Sequence, residues 1–264
     1  MSTPQPVQDR FLDRAGARLR WRLAGSGPEL VLLHGWALDL DYWDPVVALL
    51  APRFTVLRFD RRGFGLSTGT PDIHRNVDDL LAILAAAGVR FPVLVGMSQG
   101  ARLALHFACR EPARTRALVL DGAPAFDVES GLPLLEYAQR LAADGPRALQ
   151  AAILRHPLME LRTGDAAAHE LLAAILTRYR GLDLLHPLAH ARAPQTGSIA
   201  APVLILNGGR DEPTRRAAGA TLQRQMPHAQ RLTLPGAGHL AALDNPARYA
   251  QAVADFCDSL PLAL

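Results

Sequence analysis

Short, wholly apolar runs alternate along this chain with longer stretches whose apolar residues recur every three or four positions. Leu30–Leu33, Val93–Val95 and Val203–Leu206 have the pattern of strands covered on both faces. Thr55–Phe59, Arg116–Asp121 and Gln230–Leu234 read as further strands. Arg18–Arg22 alternates polar and apolar residues between turns at Ala15-Gly16 and Gly25–Pro28, which predicts an edge hairpin with one face in water. Helical patterns over Trp43–Leu50, Asn76–Ala87, Ala101–Ala108, Arg215–Gln225 and Pro246–Ser259 follow or separate these strands. Alternating strands and helices predict a parallel sheet with helices on both faces. The alternation stops near residue 123 and resumes after Gly197-Ser198. Between them lie three apolar helical segments, Leu132–Ala142, Pro146–Leu154 and Ala166–Tyr179, separated by Gly and Pro. The expected organisation is a mostly parallel, doubly wound α/β core in two parts, 1–122 and 199–264, interrupted by a helical insert at 123–198.

Composition narrows the function. Hydrophobic residues make up 49% of the 264 residues and charged residues 20%, so a sizeable core is expected. The net charge is only +3, and the basic residues are scattered, which argues against a nucleic-acid partner. All 28 basic residues are arginine. The absence of lysine excludes a Schiff-base lysine, a pyridoxal-phosphate lysine, a Walker A lysine and a Ser–Lys dyad. Cys109 and Cys257 lie far apart, outside any zinc-type spacing, and read as thiols in a reducing compartment. The polar start, Met1–Arg10, lacks a signal-peptide core, and no stretch suits a membrane span. A soluble, cytoplasmic protein is expected.

Candidate chemistry sits where strands end. After Val93–Val95 comes Gly96-Met97-Ser98-Gln99-Gly100, followed by a helix. Strand, sharp turn and helix are the context of a nucleophile elbow, in which the flanking glycines let strand and helix approach closely. The five residues alone do not separate this from a glycine-rich turn with an incidental serine. After Leu30–Leu33 comes His34-Gly35-Trp36, where the Trp36 N–H could serve as one oxyanion donor and the Gln99 N–H as the other. The His34 side chain reads as structural. After Val203–Leu206, Asp211 lies in a Gly-rich loop within reach of a histidine, with Glu212 as competitor and helix capping as the alternative role. After Gln230–Leu234, His239 lies in a small-residue loop. The order Ser98, Asp211, His239 is nucleophile, acid, base.

Together with Asp60-Arg61-Arg62-Gly63-Phe64-Gly65-Leu66-Ser67, these motifs resemble the α/β-hydrolase superfamily, in its esterase/lactonase-like branch. The resemblance implies Ser98 as nucleophile, Asp211 as acid, His239 as base and the N–H groups of Trp36 and Gln99 as oxyanion donors. It implies that the insert forms a lid and that the loop at 60–67 is structural. A Ser at the nucleophile position argues against dehalogenase and epoxide hydrolase relatives, which carry Asp there. Trp36, Met97 and Tyr137 are expected to line the substrate pocket, and the apolar insert face (Leu132, Leu134, Leu135, Leu141, Leu171, Leu172, Ile175) to pack on the core or hold an acyl chain. Tyr179 shares the choice between donating to substrate and packing. His186 and His190 have i,i+4 spacing, but Pro187 between them argues against a metal site.

The expected function is a serine hydrolase of carboxylic esters or lactones, acting without metal or organic cofactor on a small molecule. The alternatives are a C–C bond hydrolase, or a cofactor-free perhydrolase or haloperoxidase, on the same three residues. A non-catalytic binding protein would show a degraded triad.

Overall fold

The computed structural model describes residues 8–123, 132–185 and 194–261. Within them, eight strands form one sheet: β1 (Arg10–Arg14), β2 (Ala17–Ala24), β3 (Glu29–Leu33), β4 (Thr55–Phe59), β5 (Val93–Met97), β6 (Ala117–Asp121), β7 (Val203–Gly208) and β8 (Gln230–Leu234). Their order is β1-β2-β4-β3-β5-β6-β7-β8. The β1–β2 and β2–β4 pairs are antiparallel and the others parallel.

Helices cover both faces, as expected. Successive residues of a strand point to opposite sides, so the apolar runs divide between two cores. Leu30, Leu32, Val93 and Val95 pack with Trp43, next to α1 (Asp44–Leu50), and with Tyr249 of α9 (Pro246–Asp258). Val31, Leu33, Leu94 and Leu118 pack with Leu80 of α2 (Asn76–Ala87), Phe107 of α3 (Gln99–Arg110) and Leu222 of α7 (Pro213–Gln225). From β3 the chain passes to β4 on one side and crosses back to β5 on the other. That reversal opens a crevice at the carboxyl ends of β3 and β5, where ligands of such sheets bind.

The hairpin forms one edge of the sheet, as expected, with β1 outermost and β2 paired to β4, but one of its charged residues does not face water. Its Arg20 is buried: Asp9, Asp41 and Asp60 accept from its guanidinium at 2.8, 3.1 and 3.5 Å. Alternation marked Arg20 as solvent-facing because its counter-charges come from other segments. The first two insert helices are the two arms of α4 (Leu134–Leu154), parted as expected at a kink where Gly145, with φ 79°, leaves the helical conformation just before Pro146. α5 (Ala166–Arg178) and the short α6 (Leu182–Leu185) follow, with α8 (Ala241–Asp244) too short to leave a periodic signal. Leu172 and Ile175 are buried, Leu132, Leu141 and Leu171 pack against the core, and Leu134 and Leu135 are exposed. Both cysteines are free thiols. No helix among the described residues is long and apolar enough to cross a membrane.

Candidate active site

Ser98 stands between β5 and α3 with φ 52° and ψ −114°. A side chain rarely adopts this backbone, and holding it costs on the order of 1–3 kcal/mol. Neighbouring bonds hold it there: its N–H donates to the Asp121 carbonyl at 2.8 Å, and its carbonyl accepts from Ala101 and Arg102 at 2.9 and 3.2 Å. A Cβ on Gly96 would strike the Gly100 carbonyl, and one on Gly100 would strike the carbonyl of Leu33. The two glycines are therefore what lets β3, β5 and α3 meet.

His239 and Asp211 come together directly. The imidazole Nδ1 lies 3.1 Å from Asp211 Oδ1 and 3.2 Å from Oδ2. Asp211 Oδ1 also accepts the Glu212 N–H at 2.7 Å. Glu212 thus contributes its backbone, and the Asp211 carboxylate bonds the histidine. Ser98, Asp211 and His239 are 7%, 3% and 5% exposed, so all three are screened from bulk water. With Nδ1–H donating to the carboxylate, Nε2 is the nitrogen left for proton transfer.

Small residues make this convergence possible. A Cβ on Gly122 would lie 2.9 Å from His239 Cε1 and Nδ1, and Gly122 has φ 52°. A Cβ on Gly208 would run into the Gly238 carbonyl. Behind the pair, Asp121 is fully buried at the end of β6; burial first, then the nearby Asp211 charge, push its carboxyl well above the ordinary range. Asp244 accepts the Gly238 N–H at 2.6 Å and the Arg162 N–H at 2.6 Å, tying the His239 loop to the segment after α4. Sequence reasoning missed Gly122, Asp121 and Asp244. Only the position of Asp121-Gly122 at the carboxyl end of a strand could have flagged the first two.

The other side of the crevice is built around one peptide unit. The Gly35 carbonyl accepts from Arg61 Nη2 at 2.9 Å and from His34 Nδ1 at 2.9 Å. A trans peptide points its C=O and N–H in opposite directions, so these two donors fix the heading of the Trp36 N–H. His34 Nε2 accepts the Arg61 N–H at 2.9 Å. One ring nitrogen donates and the other accepts, which requires a neutral imidazole; burial and then Arg61 push its pKa well below 6.5. The expected structural role for His34 fits this geometry. Gln99 opens α3, where its N–H has no helical acceptor. Its side-chain oxygen accepts from Arg61 Nη1 at 3.2 Å. Arg61 therefore links the two segments that carry the candidate oxyanion donors. Its guanidinium is fully buried, lies over the Phe64 ring, and is pulled down to about 10 by burial.

The loop after β4 has its own structural bonds. Asp60 accepts the Leu40 and Leu66 N–H groups at 2.8 Å each, and burial, then Asp39, push its carboxyl up to about 7. Arg62 pairs with Asp79 through two contacts of 2.7 and 2.9 Å.

Of the expected pocket residues, Met97 is buried with its sulfur against Gly35, filling the space a Cβ would need there. Tyr137 is buried and stacks on Trp36 at 5.9 Å, and Tyr179 meets the same indole edge-on at 5.5 Å. His186 and His190 lie outside the described residues. Among those described, no group of three or more His, Cys, Asp or Glu is placed to hold a metal ion.

The family model described as alpha/beta hydrolase fold matches residues 28–246. The chain belongs to the alpha/beta hydrolase family. Within the family it is 34% identical over 258 residues to a pimeloyl-[acyl-carrier protein] methyl ester esterase of Xanthomonas campestris, covering 90% of this chain and 98% of that protein. The Yersinia enterocolitica esterase of the same name is 28% identical over 257 residues, covering 90% and 97%. An enol-lactonase from Burkholderia xenovorans superposes with a TM-score of 0.80 at 24% identity, over 95% of this chain and all of that one (100%). This likeness shows the alpha/beta hydrolase fold. An esterase from a Rhodococcus species gives 0.78 at 25% identity, over 97% and 99%.

Proposed function

We propose that this alpha/beta hydrolase is an ester hydrolase working through an acyl-enzyme on Ser98. Ser98 Oγ attacks the ester carbonyl while His239 Nε2 takes its proton. Asp211 holds the Nδ1–H tautomer and stabilises the imidazolium. The N–H groups of Trp36 and Gln99 receive the developing oxyanion; one such donor is worth about 3 kcal/mol in a site of this type. His239 returns the proton to the departing alcohol, then activates a water that releases the acid and regenerates Ser98 Oγ. The observations that support this reading are the strained Ser98, whose N–H bonds the Asp121 carbonyl, and a bonded His239–Asp211 pair lying against Gly122, the next residue along.

The names of the relatives suggest the substrate class: a methyl ester on an acyl chain carried by an acyl carrier protein. On this reading residues 1–122 and 199–264 form the core and 123–198 the lid, with Trp36, Met97 and Tyr137 shaping the pocket. The two free thiols suit a cytoplasmic setting.

The test is a series of methyl and p-nitrophenyl esters of increasing acyl length, lactones and diketones, run on the native chain and on Ser98→Ala. Ester turnover should fall by about 10⁴-fold or more in the variant, with its melting temperature kept. Ester turnover surviving in Ser98→Ala rejects the mechanism, and carbon-chain cleavage as the main activity rejects the ester assignment.

A further inference from the structure

The geometry points to Asp183, in the helical segment between β6 and β7, as a positioning residue for the oxyanion hole. This inference rests on the proposed reading of the site. Asp183 is an acid in an otherwise apolar stretch, Gly181-Leu-Asp-Leu-Leu185, and it is 5% exposed. Its Oδ2 accepts the indole N–H of Trp36 at 2.8 Å, from a residue 147 positions earlier in the chain. Its Oδ1 accepts the Tyr179 hydroxyl at 2.7 Å. It is also the main opposing charge that acts on the buried Arg61.

These contacts converge on one peptide. Trp36 is the residue whose backbone N–H faces the developing oxyanion, and Arg61 holds the carbonyl of that same peptide. Asp183 thus grips the unit twice: at the indole, by hydrogen bond, and at Arg61, by charge. The Trp36 ring is boxed in by Tyr137 and Tyr179 from the same helical segment. Arg178, just before Tyr179, is anchored on Asp39 at 2.7 Å and Asp41 at 2.9 Å, and Arg180 donates to the Ser67 carbonyl at 3.1 Å. The stretch leading to the acid is therefore stapled to the core on both sides of Tyr179, whose hydroxyl Asp183 holds. When this stretch is docked, Trp36 is seated; without it, the indole N–H loses its acceptor and Arg61 its counter-charge. The oxyanion hole is then complete only with the helical segment in place, which ties turnover to closure of the site.

Asp183→Ala, Asp183→Asn, Trp36→Phe and the double variant Trp36→Phe/Asp183→Ala test this. Asparagine keeps an oxygen for the indole and an amide that can donate to the Tyr179 oxygen. For Asp183→Ala we expect kcat to fall roughly 10- to 100-fold, by the same factor at every acyl length, because an oxyanion donor serves every ester alike. Asp183→Asn should recover most of it. Trp36→Phe should cost no more than Asp183→Ala, which also removes the counter-charge of Arg61, and the double variant should add little to Asp183→Ala, since the indole bond is already gone. A loss confined to long acyl chains, full additivity, or a kcat within twofold of the native chain overturns the inference. If Asp183→Ala does not fold, the same comparison runs on Asp183→Asn against Asp183→Leu.

Failure of the underlying reading looks different, because the native chain itself would then show no Ser98-dependent ester hydrolysis. Trp36 emission, taken as native minus Trp36→Phe, decides the positioning without any substrate. A shift in Asp183→Ala that Asp183→Asn largely restores upholds it, and an unmoved emission rejects it.

Discussion

The two halves of the site are held in place by different means. On one side, His239 and Asp211 sit on adjacent loops after β8 and β7, and what fixes them is mainly backbone: parallel strand register and the missing Cβ atoms of Gly122 and Gly208, with one side chain, Asp244, accepting the Gly238 N–H at 2.6 Å. On the other side, the peptide carrying the Trp36 N–H is fixed by side chains. Arg61 and His34 hold its carbonyl, and Asp183 holds its indole from a distant helical segment. The first arrangement comes with the sheet. The second is assembled from buried polar groups, one of them supplied by a part of the chain with few sheet contacts of its own. Changes in the helical segment should therefore weaken oxyanion stabilisation and leave the His239–Asp211 pair intact.

The largest effect is expected on the backbone-held side. Gly122→Ala adds a Cβ 2.9 Å from the His239 ring at a left-handed position. Displacing a catalytic group by about 1 Å costs about 10²-fold, so kcat should fall by that order, with a smaller loss of melting temperature. A native-like kcat would mean that the pair is not set by this close approach.

A smaller effect is expected on the side held by side chains. Arg61→Met removes one of two donors to the Gly35 carbonyl and the partner of the Gln99 side chain. His34 remains, so kcat should fall about 10-fold, below the cost of losing an oxyanion donor outright. Affinity for a trifluoromethyl ketone, whose adduct carries the oxyanion, should weaken in step. Weakened substrate KM with unchanged kcat would place Arg61 in substrate binding instead.

The smallest effect concerns stability and separates the pair from its surroundings. Asp121 has a raised pKa because it is buried and lies near Asp211. An unfolded aspartate ionises near about 3.9, so the folded state binds the extra proton above that pH. Its stabilising contribution is present in acid and is lost as pH rises. Asp121→Asn has no such dependence. The melting temperature of the variant minus that of the native chain should become more positive from pH 4 to pH 8. A constant difference would mean that Asp121 does not carry this burden.

The backbone-held half was legible in the sequence, since its signals are local. Gly96 and Gly100 flank Ser98 within one turn, and Asp211 and His239 each follow a strand within a few residues. The doubly wound sheet was legible for the same reason, in the period of its apolar runs. Arg20, Arg61 and Asp183 were not. Each is a charge that the pattern assigns to water, buried because its partner arrives from tens of residues away or more. Local pattern cannot encode that pairing. The Gln99 side chain and Met97 gained their explanations only once β3, β5 and the loop after β4 were brought side by side.

The most direct test of the central claim is the site of covalent capture. The native chain is treated with a fluorophosphonate, and intact mass, peptide mapping and residual ester turnover are followed together. The account predicts one phosphonyl group per chain, on Ser98, with turnover lost in proportion to labelling. Labelling of another residue, or continued ester turnover with Ser98 fully modified, would contradict it.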